Sequence, residues 1–404
     1  MGKRSIRALA LAAATLLAAH GQGLAYFYKP PSDGTSAAAL AARFQLVILT
    51  HADEPYMAEL RAAGYRGPIL QYIAANEAEG PGPYASAQAA CDRAYPTYQR
   101  TVADRVGVFC ASIHPHEDWF LHNLGGERLW SRYESANGVW RTTYLMNPAS
   151  RGWRRFLIAR LRQYRQLGFN GFFLDNVALS RAGLEREPDD RGGVREFPDD
   201  ASLRRAEITY LADLRRSLPG VPIWANLIHD PGTPDSWDGY LALLDGVMVE
   251  DFALGWNASP LVADARLAQA RKIEAALARG LNVIAVLQGK RDDRARLGFG
   301  LALRDALAPP PGSRARLYFR YNDAFDQDYR TVWWSPEEAA PPPAALGPLL
   351  WGPGPYGLRR RLSSGLLSLN LADGTARLTL ARPPLAGREA GPRAGPRPST
   401  SIVP

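Results

Sequence analysis

Lysine, cysteine and long apolar runs are all scarce in this chain of 404 residues, and each scarcity excludes something. Only Lys3, Lys29, Lys272 and Lys290 are lysine, so 44 of the 48 basic residues are arginine. Beside so much Ala, Gly and Pro, that bias reads as GC-rich coding rather than selection for phosphate contacts. The net charge of +8 sits mostly at the ends: Lys3, Arg4 and Arg7 at one, and Arg382, Arg388, Arg393 and Arg397 against Glu389 at the other. Those segments hold six of the eight excess charges, and the near-neutral body between them is no nucleic-acid binder by charge. The apolar run at residues 8–19 is too short to span a bilayer, which needs about 20 residues, and no later run is long enough. Cysteine is limited to Cys91 and Cys110, and neither neighbours a histidine or a basic cluster that would activate a thiol.

What is present at the ends suggests export. Basic residues 3–7, the apolar run and small residues at Ala19 and Gly21, or at Gly23 and Ala25, have the order of a secretory signal over residues 1–21. The expectation is a periplasmic or extracellular protein whose mature chain has no transmembrane span; an uncleaved anchor is the alternative. In an oxidising compartment, Cys91 and Cys110 are expected to form a disulfide, with two free buried thiols as the alternative. Closing that loop would stabilise the fold by roughly 3 kcal/mol in the chain-entropy model. Residues 382–404 are rich in Pro, Arg, Gly, Ala and Ser, and a disordered tail with weak contact to an anionic envelope surface is expected.

Between the ends, short apolar runs alternate with amphipathic patterns. The runs occupy residues 24–28, 46–50, 69–73, 172–175, 223–226, 247–250, 283–288 and 317–321. Nearly continuous apolarity over four to six residues is the signature of buried parallel strands. Helices are expected at residues 150–167, closed by Gly168, and at 261–278, closed by Gly280. Eight strands with intervening helices predict an α/β fold, a (β/α)8 TIM barrel over residues 22–323. A doubly wound sheet is the runner-up, disfavoured because no glycine-rich phosphate loop follows any of the eight runs. The gap after the third run predicts an insertion at about 77–148 with its own structure, including a strand at 142–146. Residues 324–381 should form a small β appendage, with Asp373-Gly374 as a hairpin turn.

Polar residues at the C-terminal ends of barrel strands are where chemistry is expected. Asp175 and Glu250 end the fourth and sixth runs, and Asn226 and Gln288 end the fifth and seventh. Two carboxyls facing one cleft are what glycoside hydrolysis needs: one protonates the leaving oxygen, and the other attacks or activates water. Alternation does not settle which acid near 250 faces inward, because Val247, Met248 and Val249 are all apolar; Asp251 is the substitute. An acid at a strand end can also be a helix cap or simply solvated.

The block Gly168-Phe-Asn-Gly-Phe-Phe-Leu-Asp-Asn-Val resembles the GFDGVFLDN signature of exported polysaccharide-cleaving barrels. It is similar to glycosyl hydrolase-like family 15 and more distantly to the endo-α-1,4-polygalactosaminidases. Ile69-Leu-Gln-Tyr-Ile, Trp119-Phe-Leu-His-Asn, Tyr144-Leu-Met-Asn-Pro, Met248-Val-Glu-Asp-Phe and the stretch from Arg360 to Asn370 fit the first family as well. The resemblance covers about 24–380. It implies a TIM barrel and an O-glycosidase, with Asp175 as nucleophile or stabilising carboxylate, Glu250 as general acid/base, and retention as the corollary. Asn170 replaces the family's usual Asp, which implies an altered supporting contact.

Substrate contacts are expected from Tyr26, Tyr28, Tyr72, Trp119, Trp224 and Trp256 as sugar platforms. Asn147, Asn176, Asn226 and Gln288 supply hydrogen-bonding groups, and Arg320 is a partner for an acidic group or a buttress for Asp175. The His114-Pro-His116 pair with His122 is the one metal-like cluster, but it falls in the insertion rather than on the first strand. No metal and no cofactor is therefore expected. The sequence predicts a secreted glycoside hydrolase acting on a carbohydrate polymer. A non-catalytic polysaccharide-binding barrel is the alternative, and a metal-dependent hydrolase a more distant one.

Overall fold

A parallel barrel strand is buried on both faces, since alternate side chains fill the interior and the rest pack beneath helices. That requirement explains the eight apolar runs. The computed structural model describes residues 22–27, 29–80, 108–134, 140–184, 193–255, 260–322, 332–333, 335–339 and 342–380. The expected signal at 1–21, Tyr28, Cys91, Trp256 and the tail at 382–404 lie outside the described residues. The barrel strands are β1 (Gln22–Phe27), β2 (Leu46–Leu49) and β3 (Ile69–Ala74). After β4 (Glu77–Gly80), β5 (Trp130–Glu134) and β6 (Trp140–Leu145), the barrel resumes with β7 (Gly171–Ala178), β8 (Ile223–Ile228) and β9 (Gly246–Val249). β10 (Asn282–Gln288) and β11 (Leu317–Asn322) complete it. The eight barrel strands close in the order β1-β11-β10-β9-β8-β7-β3-β2, each pair parallel. The predicted (β/α)8 architecture is the fold.

Phe27, Ile48, Phe173, Trp224, Met248 and Tyr318 belong to the packing inside the barrel. Trp224 occupies its centre at 4% exposure, its ring 5.8 Å from that of Tyr318. A Cβ at position 246 would fall 2.5 Å from the indole, so Gly246 on the neighbouring strand is what makes room for it. Trp224 is therefore core, a correction to its reading as a sugar platform: substrate would have to displace the barrel's filling to reach it.

The outer layer is α1 (Ala37–Arg43), α2 (Glu54–Ala62), α3 (Arg151–Tyr164), α4 (Asp200–Ser217), α5 (Ala263–Ala278) and α6 (Arg294–Leu307). Local signals set the ends. Ser150 Oγ accepts from the Trp153 amide at 3.3 Å to cap α3, and Gly168 closes the following 3-10 turn in the left-handed region at φ 95°. Asp199 and Ser202 form a reciprocal capping box on α4. Between β8 and β9 the chain makes turns instead, buried through Trp237, Tyr240, Leu241 and Leu244. No helix among the described residues is long and apolar enough to cross a membrane.

Two β additions flank the barrel. β4, β5 and β6 form an antiparallel sheet in the order β4-β6-β5, entered directly from β3 through Ala75 and Asn76. After the short helix α7 (Pro336–Ala339) come β12 (Ala345–Trp351), β13 (Gly357–Leu362), β14 (Gly365–Asn370) and β15 (Thr375–Leu380), an antiparallel sheet in that order. Gly374 takes φ 72° in the β14–β15 turn, as an Asp-Gly hairpin requires. Polar contacts tie this sheet to α5: Trp351 Nε1 donates to Glu274 at 2.8 Å, and Tyr356 Oη to Asp264 at 2.7 Å.

Candidate functional site

The fourth barrel strand departs from regular pairing at the residues singled out from the sequence. The β7–β8 register slips between Leu174 and Val177, and Asn176 adopts φ 59°. Asparagine enters that left-handed region more readily than most side chains, and such bulges re-aim side chains beside active sites. Asp175 and Asn176 are half-buried and are partnered from β3 and from the start of β4, respectively. Asp175 Oδ2 accepts a short hydrogen bond from the Tyr72 hydroxyl, and Asn176 Nδ2 donates to Glu77 Oε1 at 2.6 Å.

Asn226, on the strand between the two candidate acids, joins them. Its Nδ2 donates to Asp175 Oδ1 at 2.9 Å and to Glu250 Oε2 at 2.9 Å. An amide NH2 carries two hydrogens and so can serve both carboxylates at once. Its Oδ1 is buried with no partner among the described residues. Two oxygens each 2.9 Å from one nitrogen are at most twice that distance apart. Gln288, fully buried at the end of β10, donates to the Glu250 carbonyl at 3.3 Å and fixes the backbone there.

The ambiguity at 250 is resolved by side-chain direction. Met248 joins the interior packing, whereas Val247 and Val249 pack in the outer core, so Glu250 continues the inward series. Asp251 turns to α5, where Gln269 Nε2 donates to it at 2.9 Å, and burial pushes its carboxyl upward. Glu250, not Asp251, is brought to Asp175.

Behind this cluster lies a second acid that sequence reasoning missed. Glu207 on α4 is fully buried; Asn76 Nδ2 donates to it at 2.7 Å, and the Ala178 backbone also hydrogen-bonds it. Burial outweighs these bonds and pushes the carboxyl up to about 8. A raised acid means that the folded state binds a proton the unfolded chain has already released, so stability falls as pH rises from about 4.5 to about 8. Each unit across that window costs the fold roughly 1 kcal/mol. Glu207→Gln, which is permanently neutral, is expected to flatten the dependence of Tm on pH over that range and to raise Tm at pH 8. Melting curves from pH 4.5 to 8.5 measure this; parallel curves for variant and parent would show that Glu207 does not titrate there. Glu77 and Glu207 escaped notice for different reasons. Glu77 stands past Ala74-Ala75-Asn76, beyond the apolar run that marks β3, and Glu207 is one of several charges on an amphipathic helix.

The remaining candidates fall elsewhere. Tyr26 is fully buried against Phe44, its hydroxyl donating to the Lys29 carbonyl at 2.9 Å. Trp119 is stacked by His116 at 4.2 Å and packs on Trp153 and Phe156, so both faces are covered. Asn147 Oδ1 accepts from the Ala149 amide at 2.9 Å and shapes the turn leading into α3. Arg320 is buried at 3% exposure, donates to the Trp333 carbonyl at 3.1 Å, lies over the Phe44 ring and has Glu338 as counter-charge. These four sit in structural contacts, and Asp175 is buttressed by Tyr72 and Asn226. Asn170, at the opposite end of β7 from the acids, accepts from the Ile69 amide and from Arg61 Nη2, both at 2.8 Å. It is a supporting contact, and an Asp could accept the same two bonds.

In the insertion, His122 is 1% exposed between carboxylates, with Nδ1 2.7 Å from Glu196 and Nε2 2.8 Å from Glu117. Arg128 also bonds Glu117 and, with His122, holds that carboxyl down at about 2. His114 is engaged by Arg128 at 2.9 Å. The histidines are thus engaged in hydrogen bonds and stacking, and no group of three or more His, Cys, Asp and Glu among the described residues is placed to hold a metal ion. Cys110 is disulfide-bonded.

No curated protein matches this sequence. Among solved structures, the glycoside hydrolase domain of PelA from Pseudomonas aeruginosa is similar at 19% identity and a TM-score of 0.44, covering 75% of this chain and 95% of that one. Ega3 from Aspergillus fumigatus, solved with galactosamine, is similar at 13% identity and a TM-score of 0.42, over 78% and 94% of the two chains. The α-galactosidase TtGalA from Thermus thermophilus is 13% identical with a TM-score of 0.46, over 88% and 67%. The profile of hypothetical glycosyl hydrolase family 15 matches residues 87–337, well over half of the chain, and the protein belongs to that family of glycoside hydrolases.

Proposed function

We propose that this glycoside hydrolase is exported and cleaves O-glycosidic bonds of a polysaccharide with retention of configuration, using Asp175 as nucleophile and Glu250 as acid and base. The observation that carries the reading is the single Asn226 amide nitrogen shared by both carboxylates at 2.9 Å. Nearest oxygens held within twice that distance accommodate the roughly 5–5.5 Å separation of a retaining pair. Asp175 is oriented by two donors, Tyr72 and Asn226, which suits a group that must meet the anomeric carbon along one line. In the first step Glu250 gives its proton to the leaving oxygen as Asp175 bonds the anomeric carbon. In the second, Glu250 takes a proton from the water that releases the sugar. Tyr72, Asn226 and Gln288 are the residues that hold this pair. The basic and apolar order of residues 1–21 supports export.

A screen of neutral and amino-sugar exopolysaccharides, reading new reducing ends, tests the activity. Proton NMR of the first product tests the stereochemistry. The expected product has the anomeric configuration of the substrate. An inverted first product would overturn retention, and glycan binding without release of any reducing end would favour the non-catalytic barrel.

A further inference from the structure

The C-terminal sheet has one face committed to the protein and one that is not. Leu358, Leu362, Leu367 and Leu369 point inward and are buried, and Arg360 on the same face donates to the Ala308 carbonyl at 3.2 Å. The other face is fixed by the cross-strand register. Leu350, Arg359, Ser368 and Arg377 lie opposite one another in one row across β12 to β15, and Arg361, Leu366 and Thr379 form the next row. Leu346, which follows the inward-facing Ala345, adds a further apolar side chain on this outer face. Leu346, Leu350 and Leu366 are 60%, 58% and 43% exposed, and Arg359, Arg361 and Arg377 are exposed as well. The four strands contain no Asp or Glu, so nothing within the sheet offsets these guanidinium groups.

Exposed leucines interleaved with arginines and no acids are an unusual finish for a solvated sheet face, which normally alternates with mixed polar residues. We propose that this outer face docks on an anionic phospholipid surface, the arginines meeting phosphate groups and the three leucines entering the boundary of the acyl region. Charge complementarity requires an anionic partner. A second copy of the same face would set arginine against arginine. Arg forks match phosphate oxygens in a bidentate manner, and aliphatic side chains gain from leaving water for a lipid boundary. An anionic polysaccharide would answer the charge but offers the leucines no apolar medium, so the lipid is the occupant that uses both halves of the surface. This inference stands independently of the proposed reaction.

The test is co-sedimentation of the full chain with vesicles of phosphatidylglycerol and phosphatidylcholine against vesicles of phosphatidylcholine alone. The expected result is binding to the first, weakened by salt, and none to the second. The combined Arg359→Glu, Arg361→Glu and Arg377→Glu variant is expected to lose at least about 100-fold in affinity. Leu346→Ser with Leu350→Ser and Leu366→Ser should weaken binding and leave the remainder more sensitive to salt. Gln in place of Glu at the arginine positions carries the test if the first variant melts below the parent. Unchanged binding by the arginine variants would place attachment elsewhere, and unchanged binding by the leucine variant would remove the lipid-boundary half. Capture by dextran sulfate without capture by the anionic vesicles would make the partner a polyanion. Each of these results overturns the proposal.

Discussion

Asp175→Asn is expected to abolish turnover on the natural polymer, and Glu250→Gln to reduce kcat by about 10²–10⁴-fold, the range for losing a positioned proton donor. The two losses should differ in kind. With an aryl glycoside whose leaving group departs without protonation, the Glu250 variant should recover much of its first-step rate, whereas the Asp175 variant should not. Added azide can occupy the space vacated by the shortened carboxylate in Asp175→Gly and attack the anomeric carbon itself, giving a glycosyl azide of inverted configuration. Steady-state rates on both substrates, with the azide product identified by NMR, measure all of this. Near-parental activity of either variant would remove that residue from the reaction, and a glycosyl azide of inverted configuration formed by a variant at position 250 would point to exchanged roles.

The second large effect is expected at Asn226. One amide donates to both carboxylates at 2.9 Å, so Asn226→Ala removes the donor they share. kcat should fall by about 10–100-fold with KM changing little, because the amide orients reacting groups rather than binding substrate uniformly. A residue that merely packed would lower stability and leave kcat near the parental value, so a lowered Tm with unchanged kcat would reduce Asn226 to a structural role.

The barrel was legible because burial on both faces writes itself as eight uninterrupted apolar runs. Asp175 and Asn226 were legible because each is a polar residue ending such a run. The same uninterrupted apolarity hid the choice at 250: inward and outward positions of β9 are both aliphatic, and only packing tells Met248 from its neighbours. Trp224 illustrates a different failure. It stands two residues before Asn226 on the same inward face, hence one layer deeper in the barrel, where a ring fills volume rather than receives a sugar. Asn76, Glu77 and Glu207 depend on contacts of the β3–β4 junction with β7 and α4 that no local pattern encodes, and buried Glu on a charged helix runs against the usual solvated placement of that residue.

The direct passage from β3 into β4 has a kinetic meaning. Only Ala75 and Asn76 separate Tyr72's strand from the insertion sheet, and Asn76 is held twice, by its side chain to Glu207 and by its carbonyl, which accepts from the Met146 amide at 2.9 Å. A hinge there would have to break both bonds and disturb the partner of Asp175. That flank of the mouth is consequently a fixed wall rather than a lid, and its closure is not expected to set the pace of turnover.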